Sequence, residues 1–433
     1  MSMSKMKNSG IEWIGEIPED WEIIQLSSLF SQHKEKNTGL KNDNLLSLSY
    51  GKIKQKDITA TDGLLPENFE GYNIISSGDI VLRLTDLQND HKSLRVGHSE
   101  QEGIITSAYI TIRKRNNNLN TKYFYYLMHT FDVMKGFYGM GAGVRQGLSF
   151  DELKKLLLCY PSQSEQNAIV SAIESKTTKI DSLISNEEKQ IEKLKAYKQA
   201  LITETVTKGL DKTVKMKNSG IIWLGEIPET WEVLRGKVIF SLLKRNVLDS
   251  DEVITCFRDG TVTLRKNRRE EGFTFSDKEI GYQGVEPGDL CVHGMDGFAG
   301  AIGVSDSRGK VSPIINVLET DYNKRFYMYF LRSMAYRNIF TALSTGIRVR
   351  SCDLRWNKLA NLQYAVPPKT EQNLIADFLD KKCTQIAQLI TIKEQKIEKL
   401  NAYKKSLIYE YVTGKKQVSS CEFSKENSGK KEV

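Results

Sequence analysis

The chain has 433 residues, of which 39% are hydrophobic and 27% charged, and its formal net charge at pH 7 is +8. This length predicts two or more domains with sizeable cores, and the basic charge permits a polyanionic partner without proving one. No apolar run is long enough for a membrane span, and the N-terminus lacks the apolar segment of a signal peptide, so we expect a cytoplasmic chain without membrane contact. Six scattered cysteines, with no C-x-x-C, are expected to be free thiols: Cys159, Cys256, Cys291, Cys352, Cys383 and Cys421.

The N-terminal segment is the first half of an internal repeat. K-M-K-N-S-G-I-E-W-I-G-E-I-P-E-D-W-E at 5–22 returns at 215–232 with fifteen of eighteen residues identical, at an offset of 210. The offset is 203 where 120–130 matches 323–333, and 206 in the helical stretches that follow. The chain therefore consists of two consecutive copies of one repeat unit.

Between these anchors, each repeat reads as a mixed α/β module of roughly 150 residues. Residues 44–59 and 251–266 share little sequence, yet both alternate apolar and polar residues around a turn, which predicts hairpins. Residues 80–82 and 110–112 are typical of strands, and residues 121–135 and 324–340 of aromatic-rich helices. The two modules share the same succession of elements but differ in sequence between the matching segments. This indicates one task performed on two different targets.

Two long helical stretches, 161–206 and 367–412, follow the modules. Neither proline nor glycine occurs from Gln166 to Val206, and polar Glu187 interrupts an apolar heptad seam. We interpret the stretches as two helices zipped together, and the alternative is two separate helices that each pack on their own domain. The predicted interface residues are Ile173, Ile180, Ile184, Ile191, Leu194, Leu201, Leu379, Ile386, Ile390, Ile397, Leu400 and Leu407.

The predicted fold is α+β, with two mixed α/β modules separated by the two helices. The expected boundaries are 1–160 for the first module, 161–212 for the first helical region, 213–366 for the second module, 367–416 for the second helical region and 417–433 for a disordered tail. If the second copy of the repeat packs where the first helix ends, then the first copy should pack near Thr413. The molecule would then be pseudo-twofold and nearly circular.

Catalytic signatures are missing from the sequence. There is no G-x-x-x-x-G-K-[ST] and no [DNS]-P-P-[YF] of the kind that amino-methyltransferases use. The glycine-rich run at 136–143 follows a helix and fails the G-x-G-x-x-G spacing, so we expect a loop there. The five histidines form no ligand cluster. We expect neither a metal nor a cofactor, and no enzyme activity of the chain alone.

Basic residues gather in the predicted loops and strand ends, where arginine offers a fork to guanine and lysine pairs with phosphate. The alternative is an ordinary solvated surface. Arg145 and Arg348 lie on a glycine turn that both modules share, which favours phosphate or structural contact over base reading. The candidate DNA-binding residues are Lys52, Lys54, Arg83, Arg145, Arg265, Lys266, Arg268, Arg269, His293, Arg348 and Arg350.

The layout resembles the specificity (S) subunit of type I restriction-modification systems. The resemblance rests on N-S-G-I-E-W-I-G-E-I-P-E-D-W-E with its copy, the P-x-x-x-E-Q-x-x-I openings at Pro161 and Pro367, and the I-E-K-L-x-A-Y-K helices. It covers nearly the whole chain and departs in three extra residues between Arg348 and Pro367.

The resemblance implies two target recognition domains that each read half of a bipartite double-stranded DNA target, separated by an antiparallel coiled coil. It also implies that two methyltransferase (M) subunits dock and that motor-nuclease (R) subunits join them, so that methylation and cleavage belong to these partners. Some thirty helical residues span about 50 Å, enough to act as a ruler over one DNA turn of about 34–36 Å. The rival readings are an assembly scaffold that reads no DNA and a stand-alone nuclease or methyltransferase.

Overall fold

A computed structural model describes residues 5–58, 68–87, 90, 92–140, 147–268, 280–342 and 354–418. The chain divides into two compact units, Met1–Asn186 together with Lys396–Val433, and Glu187–Gln395. The predicted disordered tail lies outside the described residues from position 419 onward. The two long helices contribute residues to both units, so the boundaries drawn from the sequence remain predictions.

The first unit is built mainly from short antiparallel strands. A four-stranded sheet has the order β10-β9-β12-β4, and a three-stranded sheet has the order β11-β8-β5. The strands are β1 (Met6–Asn8), β2 (Glu16–Pro18), β3 (Glu22–Gln25), β4 (Phe30–His33), β5 (Glu35–Lys36), β6 (Leu46–Ser49), β7 (Lys52–Gln55), β8 (Asn73–Ile75), β9 (Ile80–Leu82), β10 (Val96–His98), β11 (Gly103–Ile105), β12 (Ile110–Lys114) and β13 (Leu157–Tyr160). The helices are α1 (Leu26–Leu29), α2 (Thr121–Val133), α3 (Phe150–Leu153) and the start of α4 (Gln163–Lys208).

The second unit repeats this frame. Its four-stranded sheet has the order β17-β24-β21-β22, and the pair β16–β25 matches the pair β3–β13 of the first unit. The strands are β14 (Met216–Asn218), β15 (Glu226–Pro228), β16 (Glu232–Arg235), β17 (Ser241–Leu242), β18 (Ile254–Cys256), β19 (Val262–Leu264), β20 (Gln283–Val285), β21 (Leu290–His293), β22 (Ile302–Val304), β23 (Gly309–Val311), β24 (Ile315–Glu319) and β25 (Gln363–Val366). The helices are α5 (Gly236–Ile239), α6 (Lys324–Tyr336), α7 (Ile339–Ala342), α8 (Trp356–Leu359) and α9 (Lys369–Val412).

The predicted elements are confirmed, with three differences. The helix predicted over 121–135 ends at Val133, and Lys135 adopts a left-handed backbone with φ 64°. Both hairpins form, as β6–β7 and β18–β19, and so do the strands at 80–82 and 110–112. The helix predicted over 324–340 instead ends at Tyr336 and restarts as α7, because Asn338 adopts a left-handed backbone with φ 55°. The predicted loop at 136–143 begins as a 3-10 turn, Gly136–Gly139, that buries Phe137, and residues 141–143 lie outside the described residues.

The long helices pack on each other and run antiparallel within each unit. In the first unit Lys404 of α9 binds Asp181 of α4 at 2.6 Å, while Tyr411, farther along α9, lies under Lys176. The second unit pairs Glu187 with Lys393. The zipped pair predicted from the heptads is therefore confirmed.

The same helices close the core of each module. In the first unit, Trp21, Phe30 and Phe124 share one buried cluster with Ile173 of α4 and Leu407 of α9. The second unit has the matching cluster, in which aromatic residues of the frame and of α6 pack with Ile202, Val206 and Leu379. Each module therefore buries its aromatic helix against the long helices, which holds the module in one orientation on them.

The N-terminal segment packs where the second long helix ends. The Tyr409 hydroxyl donates to the Trp13 carbonyl at 3.2 Å, and the Lys415 ammonium donates to the carbonyl of Ile14. The contact predicted from the repeat is thus confirmed. None of the helices in the described ranges has both the length and the apolarity needed to cross a membrane.

Candidate nucleic-acid interface

Each module carries one hairpin that lies across its sheet, and we call β6–β7 and β18–β19 the recognition hairpins. The first crosses β10 at Gly97, where an added Cβ would lie 2.6 Å from Leu48 Cδ1. The second crosses β22 at Gly303, where a Cβ would lie 2.1 Å from the carbonyl oxygen of Gly260. At Gly303 the obstacle is backbone, so only glycine leaves room for the hairpin there, whereas at Gly97 it is the end of a side chain. The two glycines are separated by 206 positions, so this crossing belongs to the repeated frame.

The tip of each recognition hairpin is tethered to the aromatic helix of its module. The Tyr125 hydroxyl on α2 donates to the Gly51 carbonyl at 3.1 Å. On α6, Arg332 donates from Nη2 to the carbonyl of Asp259 at 2.6 Å. Because the helices are locked in the cores, these tethers set the position of the hairpins. Sequence reasoning missed them, since no local pattern links a helix side chain to a loop carbonyl.

The predicted lysines of the first hairpin are exposed. Lys52 and Lys54 lie on β7, opposite Ser49 and Ser47, and neither makes an ion pair with another described residue. Their neighbour Ile53 points the other way, toward Gly97. The outer face of this hairpin is therefore a pair of solvated cations on a firmly held strand, which suits contact with phosphate.

Arg83 follows β9 in a loop that a buried arginine organises. Its guanidinium lies 3.7 Å from the Asp90 carboxylate and is about one-third exposed. Arg95 is fully buried and donates to the backbone carbonyls of Arg83, Thr85, Asp86 and Asp90 at 2.6–3.2 Å. Sequence reasoning picked out the half-buried Arg83 and missed Arg95, because full burial of an arginine cannot be read from spacing.

The basic run of the second hairpin is partly neutralised by its surroundings. Lys266 lies 2.6 Å from a carboxylate oxygen of Glu252. Arg268 lies 2.8 Å from Asp259 and stacks over the Phe257 ring at 4.6 Å. Arg265, half-buried, donates to a threonine hydroxyl at 3.3 Å. These ion pairs are exposed and hence weak.

His293, predicted to match Arg83, holds a turn after β21. Its Nδ1 accepts from the backbone N–H groups of Met295 and Asp296 at 3.2 and 3.0 Å, which leaves the ring proton on Nε2. Burial lowers the pKa of His293 below its usual value. The neutral ring supplies a donor at Nε2 and no positive charge, so it is not a like-for-like replacement of an arginine.

Four predicted residues, Arg145, Arg269, Arg348 and Arg350, lie outside the described residues, as does the shared glycine turn at 143–145.

Beneath the first recognition hairpin lies a cavity of about 620 Å³. Its charges balance: Lys122 is 2.8 Å from Glu174 and 3.1 Å from Glu100. Burial lowers the pKa of His98 at its edge to about 4, so this ring is neutral at pH 7. Among the described residues no group of three or more His, Cys, Asp or Glu side chains could hold a metal ion.

The repeated E-Q-N triplets join the long helices to the modules. Trp21 donates from Nε1 to Glu165 at 3.2 Å, and Trp231 does the same to Glu371 at 2.9 Å. Gln166 donates to the Pro161 carbonyl at 2.9 Å and accepts from the Asn120 N–H at the start of α2 at 3.0 Å. The equivalent bonds form at Gln372. The motif thus fixes each aromatic helix to the start of a long helix.

Both long helices also expose apolar side chains at equivalent positions. Leu183 and Leu389 are each 48% exposed, and Tyr197 and Tyr403 are 56% and 53% exposed. Both pairs are separated by 206 positions, the offset of the helical repeat. Each unit therefore presents one such leucine and one such tyrosine on its helices.

No protein-family profile matches the chain. Two curated proteins of Methanocaldococcus jannaschii are each 23% identical to it: one provisionally named the type I restriction enzyme MjaX specificity subunit, and the type I restriction enzyme MjaVIII specificity subunit. The alignments cover 94% of this chain and 96% and 95% of those proteins.

Among solved structures, a chain from a study of assembly and conformational transition of the type I R-M system superimposes with a TM-score of 0.66 at 13% identity. The match covers 92% of this chain and 98% of that one. This chain therefore shares its fold with that chain. With the named relatives, the resemblance to type I specificity subunits predicted from the sequence is confirmed.

Proposed function

We propose that this chain is the DNA-recognition subunit of a cytoplasmic type I restriction-modification complex. In this proposal each module reads one half of a bipartite double-stranded target with a fixed spacer. The observation that carries it is the pair of recognition hairpins, which cross equivalent glycines and are tethered to equivalent helices, yet carry different side chains. A constant frame under variable hairpins is what two readers of different sequences require.

Roles follow for the individual cations. Lys52 and Lys54 would bind phosphate in the first half-site, and Lys266 and Arg268 would do so in the second after leaving their carboxylates. Arg83, which follows β9, and Arg265, which follows β19, are both half-buried and are the stronger candidates for base edges. Arg145, Arg269, Arg348 and Arg350 remain candidate DNA-binding residues on the basis of the sequence.

The chain would carry no catalytic activity of its own. Two methyltransferase subunits would dock on the exposed helix residues, one on Leu183 with Tyr403 and the other on Tyr197 with Leu389. Exposed apolar side chains at repeated positions suit two copies of one partner. Motor-nuclease subunits would join this core and perform cleavage.

DNA reading is tested with the chain co-purified with its methyltransferase subunit. Methylome sequencing of cells that express both should reveal one bipartite motif, and footprinting should protect both of its halves. Lys52→Ala/Lys54→Ala should weaken binding about tenfold at unchanged sequence preference, because phosphate contacts carry affinity rather than specificity. A pure scaffold would give neither a footprint nor a motif.

Docking is tested on the same complex by native mass spectrometry. Leu183→Asp/Tyr403→Asp should remove one methyltransferase copy, and Tyr197→Asp/Leu389→Asp the other. Glu188→Asp, on an exposed polar position of α4, is the matched control and should keep both copies.

A further inference from the structure

The heptad seams of the two long helices are each interrupted at the same place. The seam of α4 runs through Ile173, Ile180, Glu187, Leu194 and Leu201, and that of α9 runs through Leu379, Ile386, Lys393, Leu400 and Leu407. Corresponding members are separated by 206 positions. Glu187 and Lys393 are therefore counterparts in the repeat, and they are the polar members of otherwise aliphatic seams.

These counterparts bind each other. Lys393 Nζ lies 3.0 Å from Glu187 Oε2, and the Lys393 ammonium also donates to Gln190. The Glu187 carboxylate is nearly inaccessible, with 7% of its side chain exposed, and Lys393 is 23% exposed. A buried ion pair adds little net stability over apolar packing, since desolvation offsets most of the attraction. The presence of this ion pair in the middle of the seam needs a reason other than stability.

The antiparallel geometry supplies that reason. In an antiparallel pair of equivalent helices, the central position faces its own counterpart. If α4 of one copy paired with α4 of another in this register, Glu187 would face a second Glu187, and two copies of α9 would bring Lys393 against Lys393. Either arrangement buries like charges, which is strongly unfavourable.

We propose that Glu187 and Lys393 form a pairing-specificity element, which selects α4–α9 pairing over α4–α4 and α9–α9 pairing between copies of this chain. The remaining seam residues are aliphatic in both helices and discriminate poorly. A single polar position that specifies register and partner at some cost in stability is an established use of buried polar groups in coiled coils. The selection applies whether or not the chain reads DNA.

The first test separates charge complementarity from residue identity. Glu187→Lys and Lys393→Glu, made singly in the full-length chain, should each lower the first unfolding midpoint by about 5–10 °C. The double variant Glu187→Lys/Lys393→Glu should recover most of that loss. The pair Asp181–Lys404 is the matched control, because its lysine is 28% exposed, much like Lys393, while its carboxylate is 53% exposed. The same reversals there should shift the midpoint by about 2 °C or less. Single reversals that leave the midpoint unchanged, or a double reversal without recovery, would refute the proposal.

The second test separates specificity from stability. Glu187→Leu/Lys393→Leu makes both seams fully apolar, and the unfolding midpoint should stay equal or rise. Full-length chains carrying two different affinity tags in one cell should then copurify about tenfold more than wild-type chains do, because homotypic pairing is no longer penalised. The double charge reversal should copurify at the wild-type level. If the leucine variant loses stability, or copurifies no more than wild type, the pair is an ordinary ion pair and the proposal fails.

Discussion

At the scale of single residues, Arg95 holds together the loop that presents Arg83. Arg95→Met would leave the carbonyls of residues 83, 85, 86 and 90 without their guanidinium donor in a buried site. We expect a loss of about 3–5 kcal/mol in the free energy of unfolding of the first unit, measured by urea titration. Arg83→Met is the control and should cost less than about 1 kcal/mol while still weakening DNA binding. Wild-type stability of Arg95→Met would contradict this role.

Two half-buried histidines of the first unit make its stability depend on pH. Burial lowers the pKa of both His98 and His129 to about 4, well below the unfolded value of 6.5. The unfolded chain therefore binds protons first as pH falls, so the stabilising contribution is complete above about pH 6.5 and is lost progressively toward pH 4. At pH 5 each histidine should lower the free energy of unfolding by about 2 kcal/mol relative to pH 7.

His129 offers the cleaner variant, because its Nδ1 is buried without a hydrogen-bond partner among the described residues. His129→Leu should keep its stability at pH 7 and lose about 2 kcal/mol less than wild type between pH 7 and pH 5, as measured by urea titration at each pH. Parallel pH profiles for the two proteins would argue against the buried neutral ring.

At the scale of elements, the crossing glycines decide where the recognition hairpins lie. Gly303→Ala would place a Cβ 2.1 Å from a backbone oxygen of the hairpin, so β18–β19 must move. We expect a cost of about 1–3 kcal/mol and a loss of binding to one half-site, seen by footprinting of the complex with the methyltransferase subunit. Gly71→Ala is the control, since nothing lies within 4 Å of its added Cβ. Unchanged protection of both half-sites would show that the hairpin does not read DNA.

The helices and strands could be predicted from the sequence because each depends on a pattern of neighbouring residues. Alternation predicted the recognition hairpins, and heptad seams without proline or glycine predicted α4 and α9. The repeat also predicted that the N-terminal segment packs near Thr413, but individual side-chain bonds between distant segments had no such signal. The bonds from Arg95 to a loop, from Tyr125 to Gly51 and from Lys393 to Glu187 depend on how elements meet. The break of α6 at Asn338 was also missed, since asparagine is tolerated inside a helix until tertiary packing favours the left-handed conformation.

The candidate site was predicted less well than the fold for the same reason. Lys52, Lys54, Lys266 and Arg268 are exposed, as basic loop residues usually are. Which of them is free and which is paired depends on acids that come from other segments, such as Asp259 beside Arg268. The sequence pattern identifies a basic residue, but it does not show which acidic side chains from other segments lie beside it.

At the scale of the whole molecule, the exchangeable part of each unit begins and ends at one strand pair. β3 and β13 pair from Glu22–Gln25 to Leu157–Tyr160, and β16 and β25 pair in the same way in the second unit. A segment spliced between Gln25 and Leu157 therefore enters and leaves at adjacent backbone positions. The long helices and the E-Q-N triplets themselves stay outside the splice. Their partners at the start of each aromatic helix, Asn120 and Asn323, lie inside it, so a donor segment must supply the same N–H donor to Gln166 or Gln372.

Because of this geometry, exchanging one module tests whether each module recognises its half of the DNA target independently. Replacing residues 26–156 with the matching segment of a related chain should change one half of the methylated motif and leave the other half and the spacer unchanged. Exchange of residues 236–362 should do the reverse. Each unit has its own buried core, so either exchange leaves the other module's packing intact. Methylome sequencing of cells that express each chimera with the methyltransferase subunit reads the outcome directly. If one exchange altered both halves of the motif, the modules would not be reading DNA separately, and the shared frame would need another explanation.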